Sequence, residues 1–139
     1  MGLNGFLCFD MRAAMKKIER ALNTRVACGG VSIPQGFVLY CLLEDNGITL
    51  KEIGSRCLID SSSMTVLIDK LEREGLVERK LDPQDRRAIR VFILPEGREI
   101  AREISARAVD FNAFLLDIIG ECNQKEFIHG LNNIINKLD

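Results

Sequence analysis

The sequence predicts a mainly α-helical fold with a single small antiparallel β-hairpin. Towards both ends of the 139-residue chain, apolar residues recur at every third or fourth position, which is typical of amphipathic helices. Between residues 77 and 94, two short apolar segments flank a polar stretch that contains Pro83, which is typical of two strands joined by a turn. A chain of this length predicts one domain that can bury a core.

Three helices are predicted before the middle of the chain. The first covers about residues 4–26 and is followed by a pair of glycines. Pro34 suits the first turn of the second helix, which is expected to continue to Gly47. Thr49 and Glu52 have the spacing of a capping box, so they are expected to begin a short third helix.

The fourth helix follows the third after a break of three residues that begins at Leu58. Asp60 or Ser61 is its expected N-cap, because both side chains can accept a backbone N–H. Gly75 is expected to end it, with Leu76 folding back on the last turn in a Schellman-like stop. Its apolar stripe, which we expect to be buried, consists of Met64, Leu67, Ile68 and Leu71.

A hairpin and two long helices complete the predicted order. The strands are expected at about Val77–Leu81 and Ile89–Leu94, with residues 82–88 as the turn. Pro95 cannot donate a ladder hydrogen bond, so it ends the second strand and opens the fifth helix. Asn123 marks the start of the sixth helix.

The composition excludes several classes of protein. The five cysteines include no CxxC pair and the chain has one histidine, His129, so neither a zinc ribbon nor a disulfide framework is expected. The sequence contains no run of 18 apolar residues, so no membrane span is expected, and the N-terminal segment lacks the basic start of a signal peptide. We therefore expect a cytoplasmic protein with reduced thiols, no metal, no cofactor and no membrane contact.

No catalytic motif is present in the sequence. There is no glycine-rich phosphate loop, no nucleophile elbow and no cluster of metal ligands. We therefore expect a binding protein and not an enzyme.

The charge is unevenly distributed although the formal net charge is only −1. Residues 79–90 contain five basic and two acidic residues, whereas residues 110–139 contain two basic and five acidic residues. Such polarisation indicates that one face of the protein meets a polyanion.

The third and fourth predicted helices have the order and short connection of a helix-turn-helix. The second helix of such a pair can enter the major groove of DNA with its N-terminal end first. Small hydroxyl groups there suit phosphates or base edges, although they would equally cap a solvated helix. The candidate DNA contacts on this helix are Ser61, Ser62, Ser63, Thr65, Val66 and Lys70.

The hairpin that follows has the position of the wing in a winged helix. The tip of a wing lies over the minor groove, where an arginine gains most from the negative potential. We interpret Arg87 as the inserted residue, Asp85 as the group that orients its guanidinium, and Arg79 and Arg86 as phosphate contacts. A solubilising role for the basic residues is the alternative.

The stretch from Ile48 to Ile100, which contains "LEREGLVER" and "DPQDRR", resembles the DNA-binding core of the MarR family of transcriptional regulators. The resemblance implies that Ser62, Ser63, Thr65 and Lys70 contact DNA and that Asp85 and Arg87 form the Asp-x-Arg pair of the wing. The chain departs from the family at Val66, where many members have a polar or basic residue, and at "ILPEG", where "LTEEG" is usual.

The resemblance also implies an obligate homodimer built from a single domain over residues 1–139. Residues 31–95, approximately, would form the winged helix core, and the flanking segments at about 1–28 and 96–139 would form the dimerisation helices. Such a dimer would read a pseudo-palindromic operator in double-stranded DNA, with its two recognition helices about 34 Å apart.

The expected function is therefore sequence-specific transcriptional regulation, as a repressor relieved by a small-molecule effector or by thiol oxidation. "FLCFDMR" resembles the start of the organic-hydroperoxide-sensing branch, which makes Cys8 a candidate redox sensor. The alternative is that Cys8 packs as a small hydrophobe in the dimer interface. Tyrosine hydroxyls assist the cysteine in that branch, and Tyr40 is the only tyrosine in this sequence. A winged helix that binds another protein and not DNA is the competing function.

Overall fold

The structure is a computed structural model that describes residues 2–3 and 5–138. Its described part is mainly helical, with a small antiparallel sheet, as the sequence predicts. The elements are α1 (Leu7–Arg25), α2 (Ile33–Glu44), β1 (Ile48–Thr49), α3 (Leu50–Cys57), α4 (Ser61–Arg73), β2 (Val77–Leu81), β3 (Ile89–Ile93), α5 (Pro95–Ile119) and α6 (Gln124–Lys137).

The predicted second helix is too long at its C-terminal end. α2 ends at Glu44, and the next residues turn into β1, a strand that the sequence analysis did not predict. Tertiary contacts explain the early stop, because Gly47 donates its N–H to Val91 O at 3.0 Å and Asn46 Oδ1 accepts the N–H of Ile93 at 2.9 Å. Pairing with β3 therefore satisfies backbone groups that a longer α2 would have used internally. The first helix also begins later than predicted, at Leu7.

Capping boxes begin α2 and α3. The predicted capping box of α3 is confirmed, with Glu52 N–H donating to Thr49 Oγ1 at 3.2 Å and Thr49 N–H to Glu52 Oε2 at 2.8 Å. A second capping box, which was not predicted, joins Ser32 and Gln35 at the start of α2. Asn123 precedes α6 as expected, but its amide donates back to Ile119 O and does not cap the helix.

The end of α4 sets the direction of the chain into the wing. Gly75 has a φ of 73°, and Leu76 donates its N–H to Leu71 O at 3.0 Å, so the predicted Schellman-like stop is confirmed. Leu76 O in turn accepts the N–H of Leu94, and its close approach leaves no room for a side chain at Gly97 in the first turn of α5. The hairpin is thus attached to both α4 and α5.

The sheet has the strand order β1-β3-β2, and both pairings are antiparallel. β2 and β3 pair over their whole length, from Val77 opposite Ile93 to Leu81 opposite Ile89, so the predicted hairpin is confirmed. β3 ends one residue before the predicted Leu94.

One continuous apolar core joins the helix-turn-helix to the sheet. Helix α2 lies at its centre, with Val38, Leu39 and Leu42 fully buried. Around it pack residues from α3, α4, the sheet and the first half of α5, each of them buried: Ile53, Met64, Ile68, Leu71, Val77, Val91, Ala101 and Ile104. The predicted buried face of α4 is confirmed, with Leu67 at its edge and only partly covered.

The terminal helices differ from this core. Among the described residues, neither α1 nor α6 contains a buried residue. No described helix has the length and hydropathy to cross a membrane.

Candidate nucleic-acid interface

The turn between α3 and α4 is compact and contains one strained residue. Ile59 donates its N–H to Gly54 O at 2.9 Å, which closes the turn on α3. Leu58 has a left-handed backbone (φ 56°, ψ 44°), and 92 % of its surface is exposed. A leucine in this conformation is disfavoured by contact between Cβ and the backbone. Its side chain receives no compensating burial within the subunit.

The N-terminus of α4 is organised by Asp60, which is the cap residue. Its carboxylate accepts the Ser63 N–H at 2.8 Å, the Ser62 hydroxyl at 2.7 Å and the Ser63 hydroxyl at 3.1 Å. The backbone hydrogen bond from Ser63, followed by the bonds from the two hydroxyl groups, lowers the pKa of Asp60 to about 2. The two hydroxyl groups are therefore oriented before any ligand arrives, and a phosphate would have to compete with Asp60 for them.

The outer face of α4 presents the predicted contact residues to solvent. Thr65 is exposed and donates its hydroxyl to Ser61 O at 3.0 Å, so its oxygen can still accept a hydrogen bond. Val66 is 66 % exposed, and Lys70 is exposed one turn further on. The structure thus places the predicted contact residues of α4 together at the surface: Ser61, Ser62, Ser63, Thr65, Val66 and Lys70.

The wing tip is held by a set of short backbone hydrogen bonds. Asp82 donates its N–H to Ala88 O, and Ala88 donates its N–H to Asp85 O, each at 3.0 Å. The carboxylate of Asp82 accepts the N–H of Gln84 at 2.9 Å. This last bond, followed by the one from the Arg90 guanidinium, lowers the pKa of Asp82. The tip is therefore a defined turn and not a flexible loop.

Asp85 acts on Arg87 differently from the sequence-based interpretation. Its carboxylate accepts the backbone N–H of Arg87 at 2.9 Å, whereas the described residues include no ion pair between Asp85 and the Arg87 guanidinium. Asp85 forms an Asx turn, in which the side chain of an aspartate accepts the backbone N–H two residues later. The carboxylate reaches this N–H of Arg87 more readily than it reaches the Arg87 guanidinium. Asp85 thus fixes the backbone of Arg87 and leaves its guanidinium exposed.

Arg79 also differs from the prediction. Its guanidinium pairs with Asp69 of α4, its backbone N–H donates to Glu72 Oε2 at 2.9 Å, and its side chain is 26 % exposed. Two carboxylates on α4 therefore hold Arg79 against that helix, and a phosphate would have to compete with Asp69 for its guanidinium. Arg86, the other predicted phosphate contact, is exposed at the wing tip.

The recognition helix and the wing tip border a single open concavity of about 860 Å³. Arg87 lies on one side of it, and Ser61 and Thr65 lie on the other. Lys51 and Ser55 of α3 also line it, and the sequence analysis did not single them out. Their spacing of four residues on a helix is the signal that would have found them.

Cys8, the predicted redox residue, lies apart from this surface. It is the second residue of α1 and is exposed in the single subunit. Tyr40 lies on α2 and donates its hydroxyl to Glu44 at 2.8 Å. Among the described residues, no cluster of three or more histidine, cysteine or acidic side chains could hold a metal ion.

Two helices joined by a tight turn, followed by a hairpin packed against the second helix, define a winged helix-turn-helix protein. The chain carries a match to the sequence model of the MarR family over residues 31–89.

Two curated relatives illustrate the match. The chain is 38 % identical over 96 residues to the HTH-type transcriptional regulator TtmR of Methylorubrum extorquens. The aligned residues are 69 % of this chain and 49 % of TtmR. The chain thus spans about half the length of that relative. It is 25 % identical over 118 residues to the organic hydroperoxide resistance transcriptional regulator of Bacillus subtilis, which is 85 % of this chain and 78 % of the relative.

Two solved structures share the fold at 23 % identity. The PcaV transcriptional regulator from Streptomyces coelicolor, in complex with its natural ligand, superposes with a TM-score of 0.89 over 100 % of this chain and 98 % of PcaV. The transcriptional repressor CouR, bound to a 23-mer DNA duplex, has a TM-score of 0.85 over 96 % of this chain and 94 % of CouR.

Proposed function

We propose that this protein is a transcriptional regulator that binds double-stranded DNA sequence-specifically as a homodimer. One observation carries the proposal: the hydroxyl-rich N-terminus of α4 and the arginine-bearing wing tip border the same concavity. Helix α4 would enter the major groove, and Arg87 would enter the adjoining minor groove. The structure of CouR bound to a DNA duplex and the match to the MarR family support this assignment.

The hydrogen bonds of the free protein suit such a complex. Because the wing tip is already closed by Asp82, Asp85 and Ala88, little backbone freedom remains to be lost when Arg87 is immobilised. The N-terminus of α4 carries a partial positive charge that favours a phosphate. Val66 would meet a thymine methyl group, which is an apolar contact that a polar residue at this position could not make equally well.

The exposed apolar residues of the terminal helices support the homodimer. Val109 and Ile118 of α5 and Ile135 of α6 are apolar but between 65 % and 70 % exposed. Monomeric proteins rarely leave extended apolar patches in water. We assign residues at about 1–28 and 96–139 to dimerisation and those at about 31–95 to the DNA-binding core. The apolar residues that a partner subunit would cover include Leu7, Phe9, Met15, Val109, Phe114, Ile118, Phe127, Ile128 and Ile135.

We further propose that the protein is a repressor and that a small ligand or oxidation of Cys8 relieves repression. PcaV was crystallised with its natural ligand, and the Bacillus subtilis relative is named for organic hydroperoxide resistance. Cys8 is exposed in the single subunit, so an oxidant can reach it unless the partner subunit covers it.

Salt dependence tests the DNA-binding proposal. Duplexes selected from fragments of the source genome are titrated with the protein at several salt concentrations, and binding is followed by fluorescence anisotropy. We expect the logarithm of the binding constant to fall linearly with the logarithm of salt concentration, with a slope of about −0.9 for each phosphate contacted. A protein that binds no duplex at low salt, or whose binding ignores salt, would favour the protein-binding alternative.

Substitution of Arg87 tests the minor-groove contact. Arg87→Ala should lower the affinity for the selected duplex by about tenfold or more, which corresponds to ~1–3 kcal/mol for one specific contact. Arg102→Ala is the matched control, because it removes the same charge from an exposed position on α5. Equal affinities for the two variants would show that Arg87 acts only through its charge, and size-exclusion chromatography would confirm that both remain dimers.

A further inference from the structure

Two cysteine thiols meet at the back of the helix-turn-helix. Cys41 of α2 and Cys57, the last residue of α3, are neighbours: both line one cleft, and each thiol influences the pKa of the other. Cys41 is 6 % exposed, and Cys57 is partly buried against the same apolar core. The pair lies outside the concavity that α4 shares with the wing tip.

A small open cleft gives access to both sulfur atoms. It has a volume of about 330 Å³, and both cysteines line it. Arg56 lies at the cleft, where it pairs with Asp45 at 2.8 Å and its positive charge lowers the pKa of Cys41. The remaining lining residues are aromatic, acidic or aliphatic: Phe37, Tyr40, Glu44 and Leu58.

We propose that Cys41 and Cys57 form an oxidisable dithiol that an organic hydroperoxide converts into a disulfide between α2 and α3. One thiol, as the thiolate, attacks the terminal oxygen of the hydroperoxide, and the O–O bond breaks to give a sulfenic acid and an alcohol. The second thiol then attacks the sulfenic sulfur, and water leaves as the S–S bond forms. The two thiols lose two electrons in total, and the hydroperoxide gains them.

The surroundings determine how this reaction depends on pH. Burial raises the pKa of Cys57 to about 11 and also raises that of Cys41. Of the charged groups near Cys41, Arg56 lowers its pKa and Glu44 raises it. Because the thiolate is the nucleophile, the rate of disulfide formation should rise about tenfold per pH unit while pH remains below these pKa values.

The disulfide would act on the recognition helix through the turn. A disulfide holds its sulfur atoms at about 2.05 Å, closer than two unbonded thiols can approach, so Cys57 must move towards α2. Leu58–Asp60 and the N-terminus of α4 follow directly in the chain. This consequence rests on the proposed function, and we expect an affinity loss for DNA of about tenfold, comparable with losing one base contact.

Peptide mapping under non-reducing conditions tests the disulfide. The full-length protein with Cys8→Ser and Cys122→Ser is treated with cumene hydroperoxide at pH 7 and pH 9, alkylated and digested with trypsin. Cleavage after Arg25, Lys51, Arg56 and Lys70 places Cys41 in peptide 26–51 and Cys57 in peptide 57–70. The proposal predicts a cross-linked pair of these peptides, formed faster at pH 9.

Peptide 26–51 also contains Cys28, so further variants identify the partner of Cys57. In the same background, Cys28→Ala should retain the cross-link, and both Cys41→Ala and Cys57→Ala should lose it. A cross-link that survives Cys41→Ala, or oxidation of both cysteines without any cross-link, would overturn the proposal. Thermal melting of each reduced variant confirms that it is folded.

The DNA measurement separates this inference from the proposed function. Reduced and cross-linked protein are compared on the selected duplex, with the Cys41→Ala variant treated identically as control. Cross-linking without any change in affinity would refute the effect on the recognition helix. A reduced parent that binds no duplex would refute the proposed function while leaving the disulfide established.

Discussion

Leu58 offers a direct test of the strain in the helix-turn-helix turn. Its left-handed backbone should cost roughly 1–2 kcal/mol relative to a residue that tolerates this conformation. Because the side chain is 92 % exposed, Leu58→Gly removes almost no buried surface. The greater freedom of glycine in the unfolded chain offsets about 0.4–1 kcal/mol of the relief.

The net expectation is that Leu58→Gly stabilises the protein by roughly 0.5–1 kcal/mol, or about 2–4 °C in melting temperature. Leu81→Gly is the matched control, because Leu81 is 67 % exposed but lies in extended conformation at the end of β2, where glycine should destabilise. Both variants are melted at one protein concentration by circular dichroism, since the proposed dimerisation would make the midpoint concentration-dependent. A Leu58→Gly variant that melts below the parent would show that the leucine is not strained or that its side chain has a stabilising partner in the dimer.

Three further outcomes follow from the contacts described above. Gly97→Ala should lower the melting temperature by several degrees, because the new Cβ overlaps Leu76 O; an unchanged melt would contradict this close packing. Asp69→Asn should loosen the wing by removing the ion pair with Arg79, so amide hydrogen exchange in β2 should accelerate relative to that in α2. Because the folded pKa of Asp60 is depressed to about 2, its stabilisation is complete above pH 4 and is lost as pH falls towards 2; the stability of Asp60→Asn should therefore vary less over that window in acid titrations.

Local patterns predicted the helix boundaries that depend on local hydrogen bonds. The capping box at Thr49 and Glu52 and the stop at Gly75 each involve residues within a few positions of one another. The partners in such interactions are close in the sequence, so their spacing alone identifies them. The long amphipathic helices were predicted for a similar reason, because their apolar stripes repeat many times.

Features that depend on distant partners were missed. Strand β1 has only two residues, which is too short for any alternation, and it exists because Ile48 pairs with Val91. Arg79 was expected to face a phosphate because its partner, Asp69, lies on a different element. The charge of a residue can be read from the sequence, but whether a neighbour already neutralises that charge depends on the tertiary structure.

The position of α5 would link the geometry of the proposed dimer to that of the winged helix core. This helix starts directly after β3 and is tied to the wing through Gly97 and Leu76; it is 25 residues long in total, which is roughly 37 Å. The N-terminal end of α5 is therefore fixed to the hairpin, and its C-terminal end lies a long way from this attachment. A tilt of only about 5° at one end displaces the other by ~3 Å. In the proposed dimer, slight repacking among the terminal segments would therefore be enough to change the separation of the two winged helix cores.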